Sequence, residues 1–403
     1  MCSYHRYGKI KIFCSNYFLT DQHLHIVCLD VPYPTDYGGV YDLFFKIKAL
    51  HAIGIRIHLH CFEYGRGRQD ELDKYCQSVN YYKRKTFPGG FNFRMPFIVS
   101  SRKNPELLRN LLNDNFPVLL EGIHCTAYLY SGALAKNRVV VRLHNVEYEY
   151  YRQLARSTSR VLKKLYYLRE SFLLKKFEKS IASQCLFMAV SKKDQQMYAR
   201  DLGATHVEYL PVFLPDSPVG VEKGTGSFCL YHGNLSVPEN EKAALWLVRE
   251  VFPSLKIPLV IAGKNPSKKL LALERNNGMI CIVANPSADE MNDLIKKAQI
   301  HVLPSMNSTG IKIKLLIALL GGRFILTNPQ AVTDSDLGSL CAVAETAAGF
   351  AATITELFHR PFDEDLLAKR TNFLETYYNN SAHARMLVKW IWRRYPTPSP
   401  SRS

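Results

Sequence analysis

The stretch AQIHVLPSMNSTGIKIKLLIALLGGRFILT, residues 298–327, contains a whole strand–turn–helix–strand unit. An apolar run over 298–304 stops in a turn of Ser, Asn, Thr and Gly. An apolar helix follows, and the next strand begins at 323. Two apolar strands joined by a helical crossover are parallel neighbours in a sheet covered on both faces.

Similar runs extend in both directions. Upstream of the unit, in the second half of the chain, they lie at 228–232, 258–263 and 279–284; downstream at 341–345. In the first half they lie at 24–31, 56–64, 117–124, 138–146 and 185–191. Segments long enough for helices separate them. The pattern predicts an α/β protein with two doubly wound, Rossmann-like domains facing across a cleft. The boundary falls in LPDSPVGVEKGTGS, 214–227, where Pro, Gly, Ser and charge replace apolar periodicity. Residues 1–22 form an N-terminal extension, 23–214 the first domain and 215–380 the second. A closing helix spans 381–395, and PTPSPSRS, 396–403, reads as a disordered tail.

Composition narrows the function. Of 403 residues, 47% are hydrophobic and 22% charged, as in a globular protein. No apolar run reaches the roughly 18 residues of a spanning helix, and residues 9–14 are too short and polar for a secretory signal. The expected location is the cytoplasm, peripheral on the inner face of the membrane. The ten cysteines show no CxxC pair or zinc spacing, so no metal site is expected. The net charge of +17 calls for an anionic partner. No nucleic-acid-binding signature is present, which leaves an anionic membrane surface and a phosphate-bearing substrate.

In open parallel sheets, ligands bind beyond the carboxyl ends of the strands. After the first strand come Asp36, Gly38 and Gly39, the glycines opening a helix. Glu121 and His124 follow the third strand, and Arg142, His144, Asn145 and Glu147 the fourth. Of the two histidines His144 is favoured, having more polar company. In the second domain Gly233 and Asn234 follow one strand and Gly263 and Lys264 the next. The strongest signal is the turn Ser308-Thr309-Gly310-Ile311 with Lys312 and Lys314. Ser308 or Thr309 caps the helix, whose N-terminus favours negative charge. The dipole disfavours the two lysines there unless an anion is bound. A basic helix, VLKKLYYLRESFLLKKFEKS (161–180), has Val161, Leu165, Leu168 and Phe172 at helical spacing. It reads either as a membrane-surface helix or as a packing helix with a charged outer face. Residues 81–102, basic and aromatic around Pro-Gly-Gly, read as an acceptor loop or a second membrane element.

The motifs RLHNVE (142–147) and GIKIKLL (310–316) resemble retaining glycosyltransferases of the GT-B fold, of glycosyltransferase family 4 in kind and of a bacterial polysaccharide-type branch. The resemblance runs from about Leu24 to Tyr395. It implies transfer of a sugar from a nucleotide donor, UDP- or GDP-linked, to a hydroxyl of a saccharide or lipid-linked saccharide. It also implies retained configuration, with neither metal nor cofactor. His144 would sit beside the sugar and Lys264 would stabilise the leaving diphosphate. Gly233, Asn234, Gly263, Ser308, Thr309, Gly310, Ile311, Lys312 and Lys314 would contact the donor. Asp36, Gly38, Gly39, Glu121, His124 and Asn145 would line the acceptor side. Two glutamates common in the family are replaced by Thr309 and Ile317. Glu345 is then the carboxylate left for the ribose, and an inactive scaffold in polysaccharide assembly is the competing reading.

Overall fold

The computed structural model describes residues 22–35, 38–158, 160–215, 220–274, 278–306, 312–333 and 336–394. Two parallel sheets carry it. The first contains β1 (His23–Cys28), β2 (Arg56–Glu63), β3 (Ser78–Lys83), β4 (Val118–Glu121), β5 (Val139–Leu143), β6 (Leu186–Ala189) and β7 (Val207–Tyr209). Their spatial order is β3-β2-β1-β4-β5-β6-β7. The second contains β8 (Cys229–His232), β9 (Leu259–Gly263), β10 (Ile280–Ala284), β11 (Ile300–Val302), β12 (Phe324–Thr327) and β13 (Ala342–Val343), in the order β10-β9-β8-β11-β12-β13. Every pairing within the two sheets is parallel.

The central strands are apolar because both faces are covered. In β4 all of VLLE is buried, and in β5 all of VVVRL is, including Arg142. A guanidinium in a strand core requires partners for each of its donors. Arg142 finds them in Asp42 and in the carbonyls of Leu210 and Pro211, at 2.5 and 3.0 Å. The strands are shorter than the apolar runs suggest. The first run ends as a strand at Cys28 rather than at 31, and the run 117–124 turns at Gly122 into a 3₁₀ turn, Ile123–Cys125. Strands β3 and β7 were not foreseen.

Seven helices matter below: α1 (Gly38–Ala52), α2 (Glu147–Ser157), α3 (Val161–Ile181), α4 (Pro238–Trp246), α5 (Ala288–Lys297), α6 (Ile313–Gly321) and α7 (Asn380–Arg394). Helix α7 leaves the second domain and packs Ala384, Leu387, Val388 and Ile391 into the core of the first. Asn380, its first residue, exchanges two hydrogen bonds with the backbone of Leu214, at 3.1 and 2.6 Å. Among the described residues no helix is long and apolar enough to cross a membrane.

Strand order reverses between β1 and β4 in one sheet and between β8 and β11 in the other. Loops leaving adjacent strands part at these points and open a crevice. The two crevices face each other.

Candidate active site

The space between them is a cleft of about 540 Å³, a volume suited to a small-molecule ligand. The first domain contributes Tyr33–Thr35 after β1, Gly39, Tyr41 and Asp42 from α1, His144 and Asn145 after β5, and Tyr150 from α2. The second contributes Gly233 and Asn234 after β8, Gly263 and Lys264 after β9, Ser305 after β11, and Lys312, Ile313, Lys314 and Ile317 around the start of α6. Residues at the start of α5 close one end.

Behind the first wall lies a buried charge network. Lys46 donates to Asp42 at 2.9 Å and to Glu121 at 2.8 Å. Arg142 adds a contact to Asp42 at 3.3 Å, and His144 Nε2 lies 3.1 Å from Glu121 Oε2. Burial alone would raise both carboxyl pKa values. For Asp42 the charges of Arg142 and Lys46 overcome it, and for Glu121 Lys46 and His144 do. Both therefore stay ionised. An ionised Glu121 only accepts, so the Nε2 facing it carries the proton. The ring is thereby fixed at the edge of the cleft, while Glu121 itself is fully buried behind it. Asp42, Glu121 and His144 offer ligand atoms within 4.8 Å of one another, but the Lys46 ammonium already bridges the two carboxylates.

Gly122 makes this arrangement possible. Its φ of +83° turns the chain directly after Glu121, and a β-carbon there would stand 2.9 Å from His124 Nδ1. On the opposite wall the ends of β8 and β9 touch through glycine. A β-carbon on Gly263 would meet the Gly233 carbonyl oxygen at 1.8 Å.

The second wall is cationic. Lys312 and Lys314 are partly withdrawn from water, and burial pushes both ammonium pKa values down to about 8 against the pull of Glu239. Lys314 lies over the Tyr231 ring at 5.0 Å, with the Pro304 carbonyl 3.5 Å from its ammonium. Helix α6 starts at Ile313 with Lys312 at the cap position and no side-chain cap among the described residues. Its N-terminal N–H groups and dipole thus add to the lysines. An anion placed here would restore the charged state that burial disfavours.

The structure therefore brings His144, Asn145, Gly39, Gly233, Asn234, Gly263, Lys264, Lys312 and Lys314 to one cleft. Gly38 opens α1 beside it. Asp36, Ser308, Thr309, Gly310 and Ile311 lie outside the described residues. The cap position falls on Lys312, four residues beyond Ser308, so α6 begins later than the apolar pattern suggests. Glu121 and His124 do not line the cleft: the first supports His144 from behind. The second is packed below, where burial and then the charge of Arg102 hold its pKa well below the usual histidine range. Glu345 is exposed, away from the cleft. Sequence reasoning missed Asp42, Lys46 and Glu239. The spacing of Asp42 and Lys46, four apart within the apolar YDLFFKIK, was the available signal, since such a pair lies on one helix face.

Comparison with known proteins agrees with this geometry. Residues 226–360 match the model of the family described as Glycosyl transferases group 1. A protein of Klebsiella pneumoniae, described as an uncharacterized 44.6 kDa protein in the cps region, is 26% identical over 324 residues, 75% of this chain and 81% of that one. Among solved structures, sucrose-phosphate synthase from Thermosynechococcus elongatus superposes with a TM-score of 0.67 at 12% identity, covering 93% of this chain and 99% of that one. Anabaena HepE, solved in complex with UDP and glucose, superposes with a TM-score of 0.60 at 10% identity, covering 91% and 98%. The fold is GT-B, two parallel-sheet α/β domains with a cleft between them. The whole chain thus shares the GT-B fold, and residues 226–360 of its second domain are similar to the group 1 glycosyl transferases.

Proposed function

We propose that this chain moves a hexosyl group from a UDP- or GDP-linked sugar to a hydroxyl of a saccharide or lipid-linked saccharide, with retention of configuration and without a metal ion or cofactor, in polysaccharide biosynthesis. One observation carries the reading. Lys312, Lys314 and Lys264 converge with the N-terminus of α6 on the cleft, opposite His144. A diphosphate needs that concentration of positive charge, and it needs it most as the bond to the sugar breaks. The UDP and glucose bound to HepE, which shares the fold, support the kind of donor.

In this reading the donor diphosphate rests on the second domain, with Gly233 and Gly263 allowing its close approach. The sugar faces His144, whose imidazole Glu121 holds in place. The acceptor hydroxyl enters past Asn145 and Tyr150, and the departing phosphate oxygen takes its proton. Lys46, held between Asp42 and Glu121, supplies a fixed positive charge where a metal would otherwise balance the carboxylates. A lipid-linked acceptor would place the enzyme on the cytoplasmic face of a membrane.

The second reading, an inactive scaffold for polysaccharide assembly, draws on Ile317, an apolar side chain in the cleft where the family resemblance expects a carboxylate. Incubation with UDP- and GDP-hexoses plus saccharide acceptors, in EDTA, separates the two. NMR should show release of nucleoside diphosphate and a product anomer matching the donor's. Donor binding without turnover would favour the scaffold, and inversion would remove the retaining assignment.

A further inference from the structure

Helix α3 is built the wrong way round for an ordinary surface helix. The spaced residues Val161, Leu165, Leu168 and Phe172, which a packing helix would turn inward, are turned outward. Phe172 is 63% exposed, and Leu162 beside the stripe is 83% exposed. The buried face is instead Glu170, Ser171, Leu174, Phe177, Glu178 and Ile181, so the first two turns contribute nothing to the core. Exposing an apolar stripe of this size to water is unfavourable unless something covers it.

A second element extends the same surface. In the loop after β3, Phe87 and Phe93 are 72% and 82% exposed. Arg169 of α3 ties this loop to the helix: it donates to the carbonyls of Asn92 and Phe93, at 2.9 and 3.3 Å, and its guanidinium lies over the Phe91 ring at 4.6 Å. Phe91 in turn meets Phe87 and Phe93 edge-on. The aromatic loop and the apolar stripe are thus one face.

Its charge identifies what covers it. Every exposed charged side chain on α3 is a lysine, and both acidic residues of the helix, Glu170 and Glu178, are buried. Residues 83–94 add Lys83, Arg84, Lys85 and Arg94 with no acid. A second copy would bring the same positive face and be repelled. Apolar side chains interleaved with cations alone match the surface of an anionic bilayer, where acyl chains receive the former and lipid phosphates the latter.

We propose that α3 and the loop 87–94 form a docking surface for anionic lipid, with Leu162, Leu165, Phe172 and Phe93 entering the headgroup region. Helix α2 packs along α3 and carries Tyr150 at the cleft. Docking therefore sets the acceptor wall of the cleft beside the membrane, where a lipid-borne acceptor would reach His144. The inference rests on the proposed function only for that last step, since docking itself follows from the surface.

The test is flotation of the full chain with vesicles of phosphatidylcholine mixed with phosphatidylglycerol, and of phosphatidylcholine alone, without any sugar nucleotide. The chain should float with the mixed vesicles only, and less so as salt is raised. The triple variant Leu162→Ser/Leu165→Ser/Phe172→Ser and the double variant Lys163→Glu/Lys164→Glu should each lose about tenfold or more in partitioning. Both should keep the circular dichroism and vesicle-free donor binding of the parent, because every altered side chain is exposed. Absence of flotation by the parent, or variants that float equally well, would overturn the proposal. So would a parent dimer that the apolar triple variant dissociates, since a second copy would then be the occupant. Donor binding measured without vesicles fails or succeeds separately.

Discussion

At the scale of single residues, the cleft is governed by two lysines whose ammonium groups burial has made more acidic. Loss of hydration pushes both pKa values down to about 8. Below that pH they are charged and attract a diphosphate; above it they are neutral and the attraction is lost. Donor affinity should therefore fall as pH rises through about 8, with proton uptake on binding detectable as a buffer-dependent heat. Replacing either lysine by Ala removes a charge-assisted contact of about 1.5–3 kcal/mol, a tenfold or greater loss of donor affinity. Lys46 is a different case. It touches no ligand but is the cation between two buried carboxylates. Lys46→Met leaves both without it and should cost about 3–5 kcal/mol of stability, read as a lower denaturant midpoint. An unchanged midpoint would show that water had replaced the ammonium.

At the scale of elements, the strand ends hold the site in register. Gly263→Ala puts a methyl group against the Gly233 carbonyl and must part β8 from β9. Donor binding should weaken while the far-UV spectrum, set by the rest of both sheets, stays the same; retained affinity would mean that the strand ends yield. These elements also show what was readable in advance. Buried strands such as VLLE and FILT announce themselves because both faces are apolar. The edge strands SVNYYK and VEY did not, because one side of each meets solvent and their half-buried residues break the pattern. The lysines of GIKIKLL were visible as cations misplaced at a helix start. The link from Lys46 to Glu121 spans 75 positions and depends on β4 lying beside α1, which no local pattern reports. The stripe of α3 stayed open between a membrane-surface helix and a packing helix for a similar reason: periodicity gives the face but not which way it points.

At the scale of the whole molecule, the two domains are joined by α7, whose apolar face completes the core of the first. The pattern of two strand series predicted both sheets and the cleft, but not the order in which strands pair. Near α2 a pair of buried carboxyls ties stability to pH. Burial raises Glu147 to about 8, helped by the charge of Glu178, and burial raises Glu178 to about 7. Their unfolded values lie near 4.3, so the folded state holds more protons across the interval between. Stability should be greatest at or below the lower value and decline as pH rises toward 8. Thermal melting at pH 6 and pH 8 checks this, and Glu147→Gln should narrow the difference; melting that rises with pH would contradict it. The central claim, that this cleft takes a nucleotide-linked sugar on its lysine wall, is tested most directly by calorimetric titration of UDP- and GDP-hexoses into the parent and into Lys312→Ala/Lys314→Ala. The account predicts saturable binding of a donor by the parent and at least a tenfold weaker interaction in the variant. Failure of the parent to bind any donor, or equal affinity in the variant, would contradict it.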